Sequence, residues 1–72
     1  ANNIEELVLS AFLEAKEQVS TNPNISAANR NKEIIAILKQ KSIFNLKDGV
    51  ILVAKHMGIS KNTVYLHLRN MD

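Results

Sequence analysis

The chain has 72 residues, of which 46% are hydrophobic, and its net charge at pH 7 is +2. This length suffices for one small domain with a modest core. The absence of cysteine excludes disulfides and thiolate metal sites. No apolar run approaches the length of a membrane span and no segment resembles a signal peptide, so we expect a cytoplasmic protein that does not bind membranes.

The charge is unevenly distributed along the chain. Residues 1–29 carry a net charge of −3, whereas residues 30–69 carry a net charge of +6. A basic segment of this kind is typical of proteins that bind a polyanion such as nucleic acid. The alternative is a lysine-rich surface that serves only solubility.

An amphipathic helix is predicted over residues 3–19, with Asn2 or Asn3 as its cap. Its apolar stripe is wide for a short helix and comprises Ile4, Leu7, Val8, Ala11, Phe12, Ala15 and Val19. Such a stripe has to pack on the rest of the domain, on a second copy of the chain, or on both. We therefore predict that residues 1–19 form a dimerisation or linker helix, and that residues 20–72 form a separate domain, whose helix-turn-helix pattern is described below.

A polar linker follows over residues 20–26, where Pro23 disfavours helix at the preceding residue. Ile25 is expected to turn inward. Ser26 is a candidate cap for a second helix over residues 27–41, whose apolar stripe contains Ile34, Ile35, Ile37 and Leu38.

Residues 42–45 are predicted to connect the second and third helices. Either Ile43 or Phe44 is expected to fill the core at this connection, and Asn45 is a candidate cap for the third helix.

The run Gly-Val-Ile-Leu-Val at residues 49–53 is ambiguous, because taken alone it is typical of a buried strand. We favour a helix, since the chain offers no second strand that could satisfy the backbone of the first. Ile51 and Leu52 then lie off the main apolar stripe of this helix. They are expected to contact the first helix or a partner subunit.

Residues 50–69 have the pattern of a helix-turn-helix. Gly58 suits a sharp turn that requires a positive φ, and Ser60 suits the cap of the helix that follows. Before the turn, Val50, Val53, Ala54 and Met57 share one face; after it, Val64, Leu68 and Met71 share another. The alternative interpretation of this pattern is an ordinary helical hairpin that binds no nucleic acid.

The second helix of this pattern carries polar and basic side chains on its outward side. Lys61, Asn62, Tyr65 and Arg69 are residue types that contact phosphates and base edges in a DNA major groove. Lys61, Tyr65 and Arg69 are predicted to contact phosphates, although Lys61 and Arg69 would look the same as solvated charges. Asn62 suits an adenine edge, and Thr63 suits either a phosphate contact or support of the cap.

Three stretches also resemble a known family: residues 44–50 (Phe-Asn-Leu-Lys-Asp-Gly-Val), residues 53–54 (Val-Ala) and residues 57–68. They are similar to the C-terminal DNA-binding domain of the YheO-like transcriptional regulators, a group that includes repressors of D-arginine utilisation. The resemblance implies that the chain is part of a longer regulator, in which a PAS-like sensor domain would bind a small-molecule effector.

Two positions depart from the family pattern. Asp48-Gly49 stands where the family has Gly-Ala, which is expected to weaken the start of the third helix. Leu66 stands where the family has a polar residue in its DNA-reading helix. Leu66 either touches a thymine methyl group or shifts the sequence preference.

No catalytic site, metal site or cofactor is predicted. His56 and His67 lie on different helices and lack the carboxylates or cysteines that a metal or catalytic site would need.

The sequence thus predicts an all-α domain of about four helices containing a helix-turn-helix, which binds double-stranded DNA as a homodimer within a bacterial transcriptional regulator. Its predicted DNA-binding residues are Ser60, Lys61, Asn62, Thr63, Tyr65, Leu66 and Arg69. The alternative is a helical module for protein–protein interaction or dimerisation that does not bind DNA.

Overall fold

The computed structural model describes residues 3–71, and within them the chain forms four α-helices and no strand. The helices are α1 (Asn3–Ser20), α2 (Arg30–Gln40), α3 (Gly49–Met57) and α4 (Lys61–Asn70), and 3-10 turns over Ala27–Asn29 and Ile43–Asn45 precede α2 and α3. The prediction of an all-α domain with about four helices is confirmed, and the ambiguous run at residues 49–53 is helical. The predicted caps of α1, Asn2 and the side chain of Asn3, lie outside what the structure describes.

The two central helices, α2 and α3, are packed on two sides. α1 packs against both of them, and α4 also packs against both, in a separate cluster of side chains. The first helix and the fourth helix therefore lie on different sides of the α2–α3 pair.

The larger cluster of buried side chains joins α1 to α2 and α3. Its buried members are Val8, Ala11, Phe12, Ala15, Val19, Ile34, Leu38, Ile43 and Val53. Ile25 packs against this cluster, as predicted, and so does Leu52, which thereby contacts the α1 side as expected. Ile51 stays exposed.

The smaller cluster joins α4 to α2 and α3. Ile35, Ala54 and Val64 form its buried centre. The partly buried side chains around them are Phe44, Val50, Met57, Ile59, Leu68 and Met71. Phe44 packs against both clusters, while Ile43 is buried in the larger one, so both candidate residues of the connection contribute to the core.

The apolar stripe of α1 is narrower than the sequence indicated. Its five residues from Val8 to Val19 are buried inside this chain, but Ile4 and Leu7 remain exposed. Phe12, in the middle of the stripe, is 7% exposed and belongs to the chain's own core. Dimerisation through α1, which stays a proposal, must therefore use other side chains of that helix.

The predicted caps of α2 and α3 are wrong. Ser26 precedes a 3-10 turn and makes no capping hydrogen bond with its side chain, because α2 begins only at Arg30. Asn45 ends the second 3-10 turn, and α3 begins four residues later. The residue before α3 is Asp48, which has a φ of 59° and makes no side-chain cap.

The start of α3 lies against the preceding 3-10 turn. A Cβ atom added at Gly49 would lie 2.3 Å from the carbonyl oxygen of Ile43. Only glycine fits this approach, because a side chain there would have to displace backbone. The left-handed φ of Asp48 is a conformation that aspartate tolerates better than most residues, and glycine tolerates better still.

His56, near the end of α3, touches the first helix through its ring. The rings of His56 and Phe12 are stacked, with centroids 5.8 Å apart and planes at 20°. The Nε2 atom of His56 is buried and has no hydrogen-bond partner within the described residues. A buried polar atom without a partner costs stability.

None of the helices within residues 3–71 is both long enough and apolar enough to cross a membrane.

Replacing Gly49 with alanine is expected to lower the free energy of unfolding by about 1–3 kcal/mol, because the new methyl group overlaps the Ile43 carbonyl. Thermal or urea unfolding followed by circular dichroism measures the change. Gly58→Ala is the matched control: its Cβ would meet nothing within 4 Å, so its cost is limited to about 1 kcal/mol for the positive φ. Equal stability of Gly49→Ala and the parent chain would contradict the close approach.

The variant His56→Phe is expected to raise the free energy of unfolding by about 0.5–1.5 kcal/mol, since it keeps the ring contact with Phe12 and removes the unpaired nitrogen. For a domain of this size, each kcal/mol corresponds to about 4–8 °C in the melting temperature. His56→Gln serves as the comparison, because it keeps a polar group but loses the ring, and it should melt below the parent. A His56→Phe variant that melts below the parent would show that Nε2 finds a partner in solution.

Candidate nucleic-acid interface

The turn between α3 and α4 is closed by backbone hydrogen bonds around Gly58, which has a φ of 71°. The Gly58 N–H donates to the Lys55 carbonyl at 3.3 Å, and the Ile59 N–H donates to the Ala54 carbonyl at 3.1 Å. These two bonds form a Schellman motif, which satisfies the last carbonyls of a helix and reverses the chain. The predicted glycine turn is confirmed.

The side chains beside this turn fix how α4 crosses the other helices. Ile59 packs next to Ala54, and Val64, which is 0% exposed, fills the space between α4 and its neighbours. Ala54 is 4% exposed and is small enough for α3 and α4 to approach each other closely. With Val64 and Leu68 facing inward, the opposite side of α4 must face solvent.

Ser60 caps α4 as predicted. Its backbone is extended, with φ −77° and ψ 154°, and its Oγ accepts a hydrogen bond from the Thr63 N–H at 3.2 Å. The hydroxyl groups of Ser60 and Thr63 also lie 2.9 Å apart and form a hydrogen bond with each other. Both residues thus hold the first turn of α4, which is the end a recognition helix directs at DNA.

The outward side of α4 carries five of the seven predicted residues. Lys61, Asn62 and Arg69 are exposed, while Tyr65 and Leu66 are 50% and 52% exposed. Asn62, Leu66 and Arg69 follow one another at spacings of four and three residues and form the middle of this surface. Leu66 therefore projects from the centre of the polar surface and is not part of the core.

Tyr65 lies towards one edge of the outward side of α4, beside the connection between α2 and α3. It contributes to a cleft of about 630 Å³, which we term the Tyr65 cleft, lined by Lys39, Ser42, Phe44, Asn45, Tyr65, Leu68 and Arg69. Tyr65 also lines a smaller depression that includes Ile51 and Asp48. The tyrosine ring thus separates two recesses next to α4.

Three polar residues of the Tyr65 cleft were not among the sequence-predicted site residues. They are Lys39 at the end of α2 and Ser42 and Asn45 in the connection to α3. Helical periodicity could not relate these residues to α4, because they lie far from it in the sequence. Only the fold of the connection brings them next to Tyr65 and Arg69. The one available hint was the basic character of the segment that contains Lys39.

The charges of the domain are segregated between its two sides. The described residues include six acidic side chains, and four of them lie on α1. These four are Glu5, Glu6, Glu14 and Glu17. Glu14 pairs with Lys41, the residue that follows α2, and this pair offsets part of that charge. Because α4 packs on the other side of the central helices, its Lys61 and Arg69 lie away from this acidic helix.

The described residues hold no group of three or more His, Cys, Asp or Glu side chains that could bind a metal ion. His56 stacks on Phe12 in the core, and His67 is partly buried on a flank of α4. The structure therefore does not bring the two histidines together with the partners that metal binding or acid–base chemistry would need.

Comparison with known proteins identifies relatives along nearly the whole chain. Residues 10–69 match a family model described as an HTH domain. An uncharacterised protein of Haemophilus influenzae is 35% identical over 71 residues, which is 99% of this chain and 32% of the relative. The protein YheO of Escherichia coli K12 is 38% identical over 69 residues, or 96% of this chain and 29% of YheO, and YheO of Shigella flexneri matches to the same extent.

The chain thus spans about a third of the length of the curated relatives it matches. No solved structure is a significant match.

Replacing Ser60 with alanine is expected to lower the free energy of unfolding by about 1 kcal/mol, because the Thr63 N–H loses its side-chain acceptor and the Thr63 hydroxyl loses its partner. Ser60→Asp is the matched control, since a carboxylate accepts the same N–H and favours the positive end of the helix dipole. Chemical denaturation of the three proteins measures the difference. If Ser60→Ala were as stable as Ser60→Asp, the cap would not contribute to α4 in solution.

Proposed function

The chain belongs to the HTH domain family that its residues 10–69 match, and from this we propose that it is the sequence-specific DNA-binding domain of a bacterial transcriptional regulator. In this proposal α4 is the recognition helix. The observation that carries the proposal is the exposed polar and basic side of α4, held outward by the buried Val64.

The proposed mechanism divides the outward residues between two tasks. Lys61, Tyr65 and Arg69 contact phosphates, because they carry cationic or hydroxyl groups and follow one another at four-residue spacing along α4, where Tyr65 and Arg69 also line the Tyr65 cleft. Asn62 and Leu66, in the middle of the surface, contact base edges. An asparagine amide pairs with the N6 and N7 atoms of adenine, and a leucine contacts the methyl group of thymine.

Ser60 and Thr63 have a supporting role in this proposal. Their hydroxyl groups bond to each other, and that of Ser60 also accepts the Thr63 N–H in the first turn of α4, so the two residues hold Lys61 and Asn62 in position. Ser60 and Thr63 would then contact the DNA through their backbone groups, or both hydroxyl groups would contact the same phosphate.

The phosphate contacts are proposed to extend into the Tyr65 cleft. Lys39 and Arg69 place cationic groups in its wall, and Ser42, Asn45 and Tyr65 add polar groups that can donate hydrogen bonds. A DNA strand leaving the recognition helix at the Tyr65 edge would meet these groups. The acidic helix α1, on the other side of the domain, disfavours approach of DNA from that direction.

The whole regulator is proposed to be a homodimer with residues 1–19, which include most of α1, as its dimerisation element and residues 20–72 as the helix-turn-helix DNA-binding part. A dimer would present two recognition helices to two half-sites of an operator. We further propose that it acts in the cytoplasm without a cofactor or enzymatic activity, and that a sensor domain in the longer protein binds the effector. The charge segregation supports an arrangement in which α1 of each copy lies away from the DNA.

Lys61→Ala and Arg69→Ala are expected to weaken binding to all DNA sequences. Each variant should reduce the slope of log K against log salt by about one unit, because each removes a phosphate contact. The measurement is fluorescence anisotropy with a selected operator and a scrambled duplex across a salt series. The matched control is Lys41→Ala, which removes the same charge from a residue that is already paired with Glu14.

Asn62→Ala and Leu66→Ala are expected to act differently, by relaxing the preference at single base pairs. A lost bidentate contact corresponds to about 1–3 kcal/mol of discrimination against the wrong base. Binding to a set of operators with one substitution each measures this preference. If the variants at residues 61, 62, 66 and 69 all bound operator and scrambled DNA like the parent, α4 would not be a recognition helix, and a module for protein–protein interaction would be favoured.

A further inference from the structure

The side of α1 that faces away from the core carries two exposed leucines. Leu9 is 38% exposed and Leu13 is 53% exposed, and neither belongs to a core cluster. They lie four residues apart and are therefore neighbours on the helix surface. Glu6 precedes Leu9 by three residues and Lys16 follows Leu13 by three residues, so all four side chains share one stripe.

The spacing of this stripe is that of the contact positions in a coiled coil. Residues 6, 9, 13 and 16 are separated by three, four and three residues, which is the alternation of positions a and d in a heptad. The two inner positions are leucines, and the two outer positions carry opposite charges. We term Glu6, Leu9, Leu13 and Lys16 the outer stripe.

We propose that the outer stripe binds the outer stripe of a second copy of this chain in antiparallel orientation. In that orientation Leu9 of each copy packs on Leu13 of the other, and Glu6 of each copy meets Lys16 of the other. This proposal deepens the dimer included in the proposed function and rests on it. It differs from the interpretation of the sequence alone, which used the apolar stripe that is buried inside the chain.

The opposite charges at the two ends of the outer stripe favour a second copy of this chain as the partner, and they favour the antiparallel orientation. A parallel pair would place Glu6 next to Glu6 and Lys16 next to Lys16, and like charges across a helix interface are unfavourable. The antiparallel pair instead forms two ion pairs, one at each end of the leucine contact. Within the described residues neither Glu6 nor Lys16 forms an ion pair of its own, so both charges are available.

The position of α1 in the fold is compatible with DNA binding by both copies. α1 packs on α2 and α3 through a different side, and α4 packs on these helices from another direction. Contact between two outer stripes therefore leaves each α4 exposed. The contact area is small compared with the roughly 800 Å² per partner of a standard interface, so association should be reversible and dependent on concentration.

The test is sedimentation equilibrium of the chain up to millimolar concentration, without DNA. The parent chain is expected to associate into dimers. Glu6→Lys and Lys16→Glu should each weaken association by about ten-fold, because each replaces two attractive contacts with two repulsive ones. An equimolar mixture of the two variants should recover association, since the charges of Glu6→Lys on one copy and Lys16→Glu on the other are complementary at both ends.

A pair of leucine variants tests the apolar part of the contact. Leu13→Gln should weaken association, whereas Leu7→Gln should not, although Leu7 lies on the same helix and is equally exposed at 51%. Circular dichroism checks that the variants fold, which we expect because the substituted side chains are exposed.

The proposal is overturned if the parent stays monomeric, if both charge variants associate like the parent, or if their mixture associates no better than either variant alone. It is also overturned if Leu7→Gln and Leu13→Gln behave alike. Because none of these measurements involves DNA, a failure of the dimer contact is distinguishable from a failure of DNA binding.

Discussion

The structure depends on the fact that α2 and α3 carry apolar side chains on two sides. On α2, Leu38 faces the cluster shared with α1, while Ile35 faces the cluster shared with α4. On α3, Val53 and Ala54 are divided in the same way. Neither α1 nor α4 alone can bury both sides, so α1 completes the burial of the two central helices behind the helix-turn-helix. The family match at residues 10–69 likewise includes residues 10–20 of α1.

Helical periodicity accounts for most of what the sequence predicted correctly. The inward positions of α4 follow from the spacing of Val64 and Leu68, and once these two face inward the exposed positions follow without further information. Gly58 could be assigned from sequence because a positive φ is a local requirement that few other residues meet. The same holds for Ser60, whose cap involves only the next three residues.

The errors in the sequence interpretation concern features that depend on contacts between distant residues. The chain offers many side chains that could cap α2 or α3, and Ser26 and Asn45 are good candidates by local rules alone. At the actual start of α3, Gly49 lies against the Ile43 carbonyl, and this close approach becomes visible only in the folded connection. The Tyr65 cleft has the same origin, because the connection between α2 and α3 brings Lys39 and Asn45 next to Tyr65.

The stripe on α1 shows a further limit of periodicity. In the sequence, the spacing of Ile4 and Leu7 extends the buried face of α1, whereas Leu9 and Leu13 fall outside it. Hydrophobic spacing alone does not show how much of a helix the neighbouring helices cover. The structure shows the width of the buried face of α1. Its contact with the other helices buries Val8, Ala11, Phe12, Ala15 and Val19, whereas Leu9 and Leu13 remain exposed.

The helix that completes the core therefore carries its exposed leucines and most of the acidic residues on surfaces away from α4. Such a polarity is useful to a DNA-binding domain for a physical reason: negative charge close to the recognition helix would repel the phosphates, whereas negative charge on the opposite side helps to orient the domain as it approaches the duplex. One short helix can thus complete the core, keep its acidic residues away from the proposed interface, and offer a surface for a second copy.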